Sequence, residues 1–173
     1  MIPRIIHQTW KTTETPVEYH ETIESCKRFH QDYVYKLWTH VEMDEFVKTH
    51  FPEQYTMYIN YPHDIQRCDA FRYMVLYFYG GFYLDLDIGC KFSFEALLDF
   101  DLVLTQSYNY PSITNSFMAC CPQQSFMKLC IDQLHEKQSS FERLGKHLHV
   151  HHSTGPFFLQ NAYELYSQSQ MYN

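Results

Sequence analysis

Gly80-Gly81-Phe82-Tyr83-Leu84-Asp85-Leu86-Asp87-Ile88-Gly89 holds three of the chain's five glycines and decides the reading of the fold. An apolar stretch with helical spacing, Ile65 to Tyr79, runs into it; Asp64 can cap that helix and the glycine pair can stop it. Phe82 to Ile88 then reads as a strand. Side chains alternate along a strand, so Phe82, Leu84, Leu86 and Ile88 line a face that can bury, and Tyr83, Asp85 and Asp87 share the other. Carboxylates two residues apart stand roughly 7 Å from each other and repel unless a cation lies nearby. Oxygen ligands of this kind favour hard ions such as Mg²⁺ or Mn²⁺. The bland alternative is a strand end whose aspartates cap the next turn. Against it, the pair follows a buried strand, where open α/β sheets place their ligands.

Outward from this segment, Ile2 to Trp10 reads as a strand entering a loop and Tyr33 to Trp38 as a second strand. Asp101 to Gln106 and Thr114 to Cys120 are two more. Helices are expected over Val17–His30, Met43–His50, Glu53–Asn60, Gln124–Glu136 and Pro156–Gln168. Strands alternating with helices predict an α/β fold with a mostly parallel sheet flanked by helices, and 1–173 as a single domain. Lys146 to Ser153 carries four of the eleven histidines and is expected to be extended, with His147, His149 and His151 on one face. That face could be a metal site or part of an acceptor cleft; the alternative is a polar strand edge, since no carboxylate or cysteine completes a ligand set locally.

The chain has 173 residues and a net charge of −7, which argues against nucleic acid as its main partner. No apolar run is long enough for a transmembrane segment, and Met1-Ile2-Pro3-Arg4 opens no secretory signal, so a cytoplasmic location is expected. The six cysteines form no C-x-x-C pair and read as reduced, mostly buried thiols. No G-x-S-x-G, P-loop or H-E-x-x-H motif is present. Asp69 and Arg72, three apart on the helix before the D-x-D segment, share a face. Either they pair as a surface ion pair, or Arg72 meets an anionic group while Asp69 takes a hydroxyl.

These residues resemble a known family. Cys68-Asp69-Ala70-Phe71-Arg72-Tyr73 through Gly80-Gly81-Phe82-Tyr83-Leu84-Asp85-Leu86-Asp87 resembles the central signature of the DXD-containing glycosyltransferases of family 32. That group includes fungal outer-chain and inositolphosphoceramide mannosyltransferases, with the clostridial glucosylating toxins as distant relatives. Ile2 to Trp10, Asn115 with Cys121-Pro122, and Ser153-Thr154-Gly155-Pro156 resemble further segments in the same order. The resemblance implies a GT-A-like, Rossmann-like fold, a nucleoside-diphosphate sugar donor, Mn²⁺ or Mg²⁺, and a hexose passed to a hydroxyl acceptor on a glycan, lipid or protein with retention. By motif it places Trp10 near the nucleobase, and Asp69 and Arg72 on the sugar with Arg72 beside the diphosphate. It places Tyr83 and Asp85 on ribose or sugar, and Asp87, with Asp85, on the metal; Asn115 and Thr154 join the donor site.

The chain departs from the family at Cys68, where Ser is usual, and an N-terminal anchor like that of the Golgi members is not expected. It also departs after Thr154-Gly155-Pro156, where many members continue to a His and Trp segment that closes over the donor. A lid is therefore expected from Tyr108–Ser112 or from the tail Ser167–Asn173, a third metal ligand from the histidine run, or completion of the site by a partner chain. Two other functions stay open. A haloacid dehalogenase-type phosphotransferase would use Asp85 as nucleophile, although Gly89 stands where such sites usually carry Thr or Val. A degenerate transferase would bind nucleotide or glycan without turnover.

Overall fold

The computed structural model describes residues 1–107, 112–137, 143 and 145–171. Its frame is set where a helix must reverse into a strand. Helix α4, Asp64–Tyr79, buries nine side chains, Gln66 and the run Asp69 to Leu76. It ends at Gly80, φ +66°, followed by Gly81, φ +92°. Both values lie where a Cβ is strained, and there is also no room for one. A Cβ on Gly81 would stand 2.5 Å from the Ile5 carbonyl oxygen, and one on Gly80 would stand 2.8 Å from the Cys120 carbonyl oxygen. The glycines thus let β3, Gly81–Leu84, press between its neighbours directly after α4.

Five strands form the sheet in the order β2-β1-β3-β5-β4. They are β1 Ile5–Thr9, β2 Val34–Trp38, β3, β4 Leu102–Gln106 and β5 Ile113–Cys120. β1 pairs with β2 and β3 in parallel; β5 runs antiparallel to both β3 and β4. Four strands therefore share one direction, as the mostly parallel reading expects. From β1 the chain moves outward to β2 and then returns to β3 on the other side of β1. The carboxyl ends of β1 and β3 thus flank a switch point, where open α/β sheets bind ligands.

Helix α1, His20–Phe29, covers one face, over a core that includes Ile6, Phe82, Leu84 and Phe94. α2 His40–His50, α3 Pro52–Ile59, α4, α5 Ser125–Lys137 and α7 Pro156–Met171 build the other core, which includes Trp38, Phe71, Met74, Tyr83 and Phe126. Along β3 the alternation holds, with Phe82 and Leu84 toward α1 and Tyr83 toward α4. α2 begins one turn before the expected start because Thr39 and Glu42 close a capping box.

Four expectations need correction. β3 stops at Leu84, and Asp85 to Ile88 form a turn in which the Ile88 amide donates to the Asp85 carbonyl at 3.0 Å. The two aspartates therefore belong to a turn rather than to one pleated face. Asp64 is the first residue of α4, not its cap, and pairs with Arg67 at 2.8 Å. Lys146–Ser153 is a helix, α6, not an extended segment. His149 and Ser153 lie one turn apart on it and both reach Gln66 of α4, so docking on α4 favours the helix over the strand that the alternating sequence suggests. Ser167 to Met171 belong to the last turns of α7, not to a free tail.

His7 joins three elements and was not foreseen. Its Nε2–H donates to the Gly80 carbonyl at 3.0 Å, and Trp38 Nε1–H donates to its Nδ1 at 3.1 Å. Burial lowers its pKa to about 4. The unfolded chain binds that proton from about pH 6.5 downward while the native state refuses it until about pH 4. The stability that the neutral ring contributes is therefore lost as pH falls through this window, by about 3 kcal/mol. Urea unfolding at pH 7 and pH 4.5 should show the loss in the wild type and a markedly smaller one in His7→Gln.

Candidate active site

A cleft of about 630 Å³ opens at the switch point. Its walls come from the end of β1 (Thr9, Trp10, Lys11), the turn after β3 (Asp85, Leu86, Asp87) and the start of α4 (His63, Asp64, Ile65). Cys68 and Arg72 rise from deeper in α4, and Lys146 from the start of α6. The volume lies within the usual range for small-molecule sites.

Arg72 is the floor of this cleft and only 3% exposed. Its Nη2 meets Asp69 Oδ1 at 3.0 Å and its Nη1 meets Asp85 Oδ1 at 3.3 Å. Nη1 also donates to the Asn115 carbonyl at 2.7 Å, and the guanidinium carbon stands 4.7 Å from the centre of the Tyr83 ring. Arg72 Nε has no partner among the described residues. Burial works against this cation, but Asp85, Tyr83 and Asp69 overcome it and hold its pKa above the ordinary arginine value. The pair is thus a desolvated ion pair rather than the surface one that the spacing also allowed.

Asp69 has no oxygen to spare. Oδ1 takes Arg72 and Asn115 Nδ2, the latter at 3.0 Å, and Oδ2 takes the Thr154 hydroxyl at 2.9 Å. Burial pushes its pKa up to about 6 against the pull of Arg72 and these donors. Tyr73 closes the network, its hydroxyl donating to the Thr154 carbonyl at 2.6 Å. Tyr83 is buried, donates to Asp85 Oδ1 at 3.0 Å and shares a hydrogen bond with Thr9 at 3.1 Å. The structure therefore brings Trp10, Arg72, Asp85 and Asp87 to the cleft and sets Asp69, Tyr83, Asn115 and Thr154 behind it.

A bulge in β5 supplies Asn115. Leu104 pairs with Met118, but Thr105 already pairs with Thr114, so Asn115 to Phe117 fall out of the β4 register, and the Thr105 hydroxyl donates to the Phe117 carbonyl at 3.0 Å. The bulge sends the Asn115 carbonyl and amide to Arg72 and Asp69, a re-aiming that bulges beside active sites commonly perform. Trp10, half-buried, meets Tyr19 edge-on at 5.6 Å between ring centres.

The sequence reading missed Lys11, His40, His63 and Lys146 on the rim. No local motif marks them; they meet only when α4 and α6 dock against the end of β1. Of the expected lid segments, Tyr108 to Pro111 lie outside the described residues, and Ser167 to Met171 do not line the cleft. Among the described residues no group of three or more His, Cys, Asp or Glu side chains is placed to hold a metal, so no histidine of the run stands with Asp85 and Asp87 as a third ligand. His147 and His151 instead lie one helical turn apart, with ring centres at 4.2 Å.

Residues 16–107 match the profile of the family described as "Glycosyltransferase sugar-binding region containing DXD motif". The chain belongs to this DXD glycosyltransferase family. It is 40% identical over 158 residues to the fission yeast (Schizosaccharomyces pombe) "Inositol phosphoceramide mannosyltransferase 3", an alignment covering 91% of this chain and 44% of that protein. It is 34% identical over 168 residues to the Saccharomyces cerevisiae "Mannosyl phosphorylinositol ceramide synthase SUR1", covering 97% and 43% respectively. The chain thus spans about half the length, or slightly less, of the curated relatives it matches. Among solved structures it matches "PaToxG Glycosyltransferase" with a TM-score of 0.67 at 18% identity, over 96% of this chain and 69% of that one. That likeness shows the GT-A fold. No helix among the described residues is long and apolar enough to cross a membrane.

Within this DXD family site, Arg72 and Asp87 should separate cleanly by stability. Arg72→Leu leaves Asp69 buried without its cation and should cost about 3–5 kcal/mol. Asp87 is exposed, and Asp87→Asn should stay within about 0.5 kcal/mol of the wild type in urea denaturation.

Proposed function

We propose that the chain moves a mannosyl-class hexose, with retention, from a nucleoside diphosphate to a hydroxyl on a phosphate-bearing lipid head group. The observation that carries this reading is the charge count at the cleft floor. One buried guanidinium meets Asp69 and Asp85, and the exposed Asp87 lines the same cleft, a local surplus of carboxylates that suits a divalent cation. The donor set fits one. Arg72 and Tyr83 both engage Oδ1 of Asp85, so its Oδ2 and the Asp87 carboxylate would remain to hold a hard ion. When bound, Mg²⁺ or Mn²⁺ supplies Lewis-acid neutralisation of the departing diphosphate.

The chain's own residues do the rest. Arg72, fixed on four sides, presents a cation that needs no reorganisation as charge develops on the leaving group. Trp10 offers an aromatic wall for the nucleobase. Asp69, Asn115, Thr154 and Tyr83 act through Arg72 and Asp85 as positioning residues. Of the carboxylates lining the cleft, Asp64 is tied to Arg67, and Asp85 and Asp87 would hold the cation. No carboxylate of the cleft is then left over, and in this reading the departing phosphate itself accepts the acceptor's proton. The names of the yeast relatives point to an inositol phosphoceramide acceptor. Lys11, His63 and Lys146 on the rim suit the phosphodiester such an acceptor carries.

Calorimetry with UDP and GDP should show binding that requires Mn²⁺ and that Asp87→Asn weakens roughly 10–100-fold. Equal affinity with and without the metal would overturn the assignment. A panel of nucleotide sugars then distinguishes an enzyme, which releases or transfers sugar from one of them, from a binding module, which turns over none. Lys146→Ala should raise KM for a phosphoinositol-bearing acceptor while leaving donor hydrolysis unchanged.

A further inference from the structure

The segment that follows the carboxylate turn is fastened to α1 by three side chains. Thr22 Oγ1 donates to the Leu86 carbonyl at 2.5 Å, and Cys26 Sγ donates to the Ile88 carbonyl at 3.6 Å. Ser25 Oγ accepts the Cys90 amide at 2.8 Å. This register places Cys90 Sγ 3.2 Å from Cys26 Sγ, both in the core that holds Ile6, Phe82 and Phe94. No other sulfur pair among the described residues is in hydrogen-bond contact; Cys120, for instance, spends its thiol on the Leu76 carbonyl. Closing 3.2 Å to a disulfide bond of about 2.05 Å takes a shift of roughly 1 Å.

We propose that Cys26 and Cys90 form a dithiol site for thiol–disulfide exchange, whose oxidation clamps the Asp85–Asp87 turn covalently to α1. The co-reactant is a low-molecular-weight disulfide. One thiolate attacks it, forming a mixed disulfide and expelling one thiolate. The second cysteine, deprotonated, attacks the protein sulfur of that mixed disulfide and expels the other. Two protein thiols and one reagent disulfide become one protein disulfide and two reagent thiols. Cys26 is suited to attack first, since the hydrogen bond from the Cys90 thiol lowers its pKa against burial, while Cys90 is held protonated as the donor. Both sulfurs are buried, with the exposed Gly89 preceding Cys90. Exchange therefore waits on the Ile88–Cys90 segment lifting from α1, and it is slower than reaction of Cys121. The inference stands apart from the proposed sugar transfer.

The test equilibrates the folded chain with oxidised glutathione, quenches with an alkylating agent and maps peptides by mass spectrometry. The expected product carries a cross-linked pair of peptides containing Cys26 and Cys90, about 2 Da lighter than the sum of the two thiol peptides. The same treatment should raise the thermal midpoint by roughly 5–15 °C, reversibly with dithiothreitol. Cys90→Ala should show neither the cross-link nor the rise. Should that variant fail to fold, the wild-type map alone decides. Cys26 and Cys90 remaining alkylatable, either one retaining glutathione, or a cross-link to a different cysteine would overturn the proposal.

Discussion

A guanidinium buried beneath a cleft must be surrounded by acceptors or it will not stay folded, and Arg72 organises this molecule on that condition. Taking a cation out of water costs several kcal/mol even after relaxation. Here the cost is met from four directions: Asp69 on α4 itself, the Asn115 carbonyl on β5, Asp85 after β3, and the face of Tyr83 on β3. These elements are far apart in the chain, so the network forms only when α4, β3 and β5 are docked. Thr154 and Tyr73 extend the same requirement to the loop between α6 and α7. A site assembled this way is rigid before any ligand arrives, which is what electrostatic assistance to a departing anion demands.

The backbone around Gly80 and Gly81 meets a second condition, one of space rather than charge. β3 can follow α4 at once only if two residues without Cβ atoms occupy the reversal. His7 then locks the reversal from β1 by accepting from Trp38 and donating to Gly80. The outcome is that the end of β3 and the end of β1 are level, and Trp10 and Asp85 open into the same cleft.

Much of this was legible in the sequence because local rules and tertiary needs agree there. The helix Ile65 to Tyr79, the glycine pair that stops it, the apolar alternation of Phe82 to Leu84 and the cluster of Asp85, Asp87 and Arg72 all follow from spacing. What was not legible depends on contacts distant in sequence. Alternation suggests that the strand continues to Ile88, but the chain leaves the sheet at Asp85, whose amide goes to Ser116 while its carbonyl takes Ile88. The histidine run alternates like a strand and is a helix, because Gln66 on α4 offers partners one helical turn apart. Asp69 reads as a ligand-facing carboxylate until Asn115 and Thr154 are seen to occupy it. The Thr39–Glu42 capping box has a spacing that local rules describe, yet the helix was expected only from Met43.

The bulge in β5 gives the Arg72 network an unequal sensitivity to different kinds of genetic change. One of its acceptors is a main-chain carbonyl, which every residue type carries, so replacing the Asn115 side chain removes the link to Asp69 but leaves that oxygen in place. What delivers the oxygen is the number of residues between the two paired stretches of β5. Loss or gain of a single codon between Thr114 and Met118 would change that number, swing the peptide away from the guanidinium and reverse which face of the strand follows. This short strand can therefore drift in composition while its length stays fixed, and the cleft is protected by a count of residues as much as by their identity.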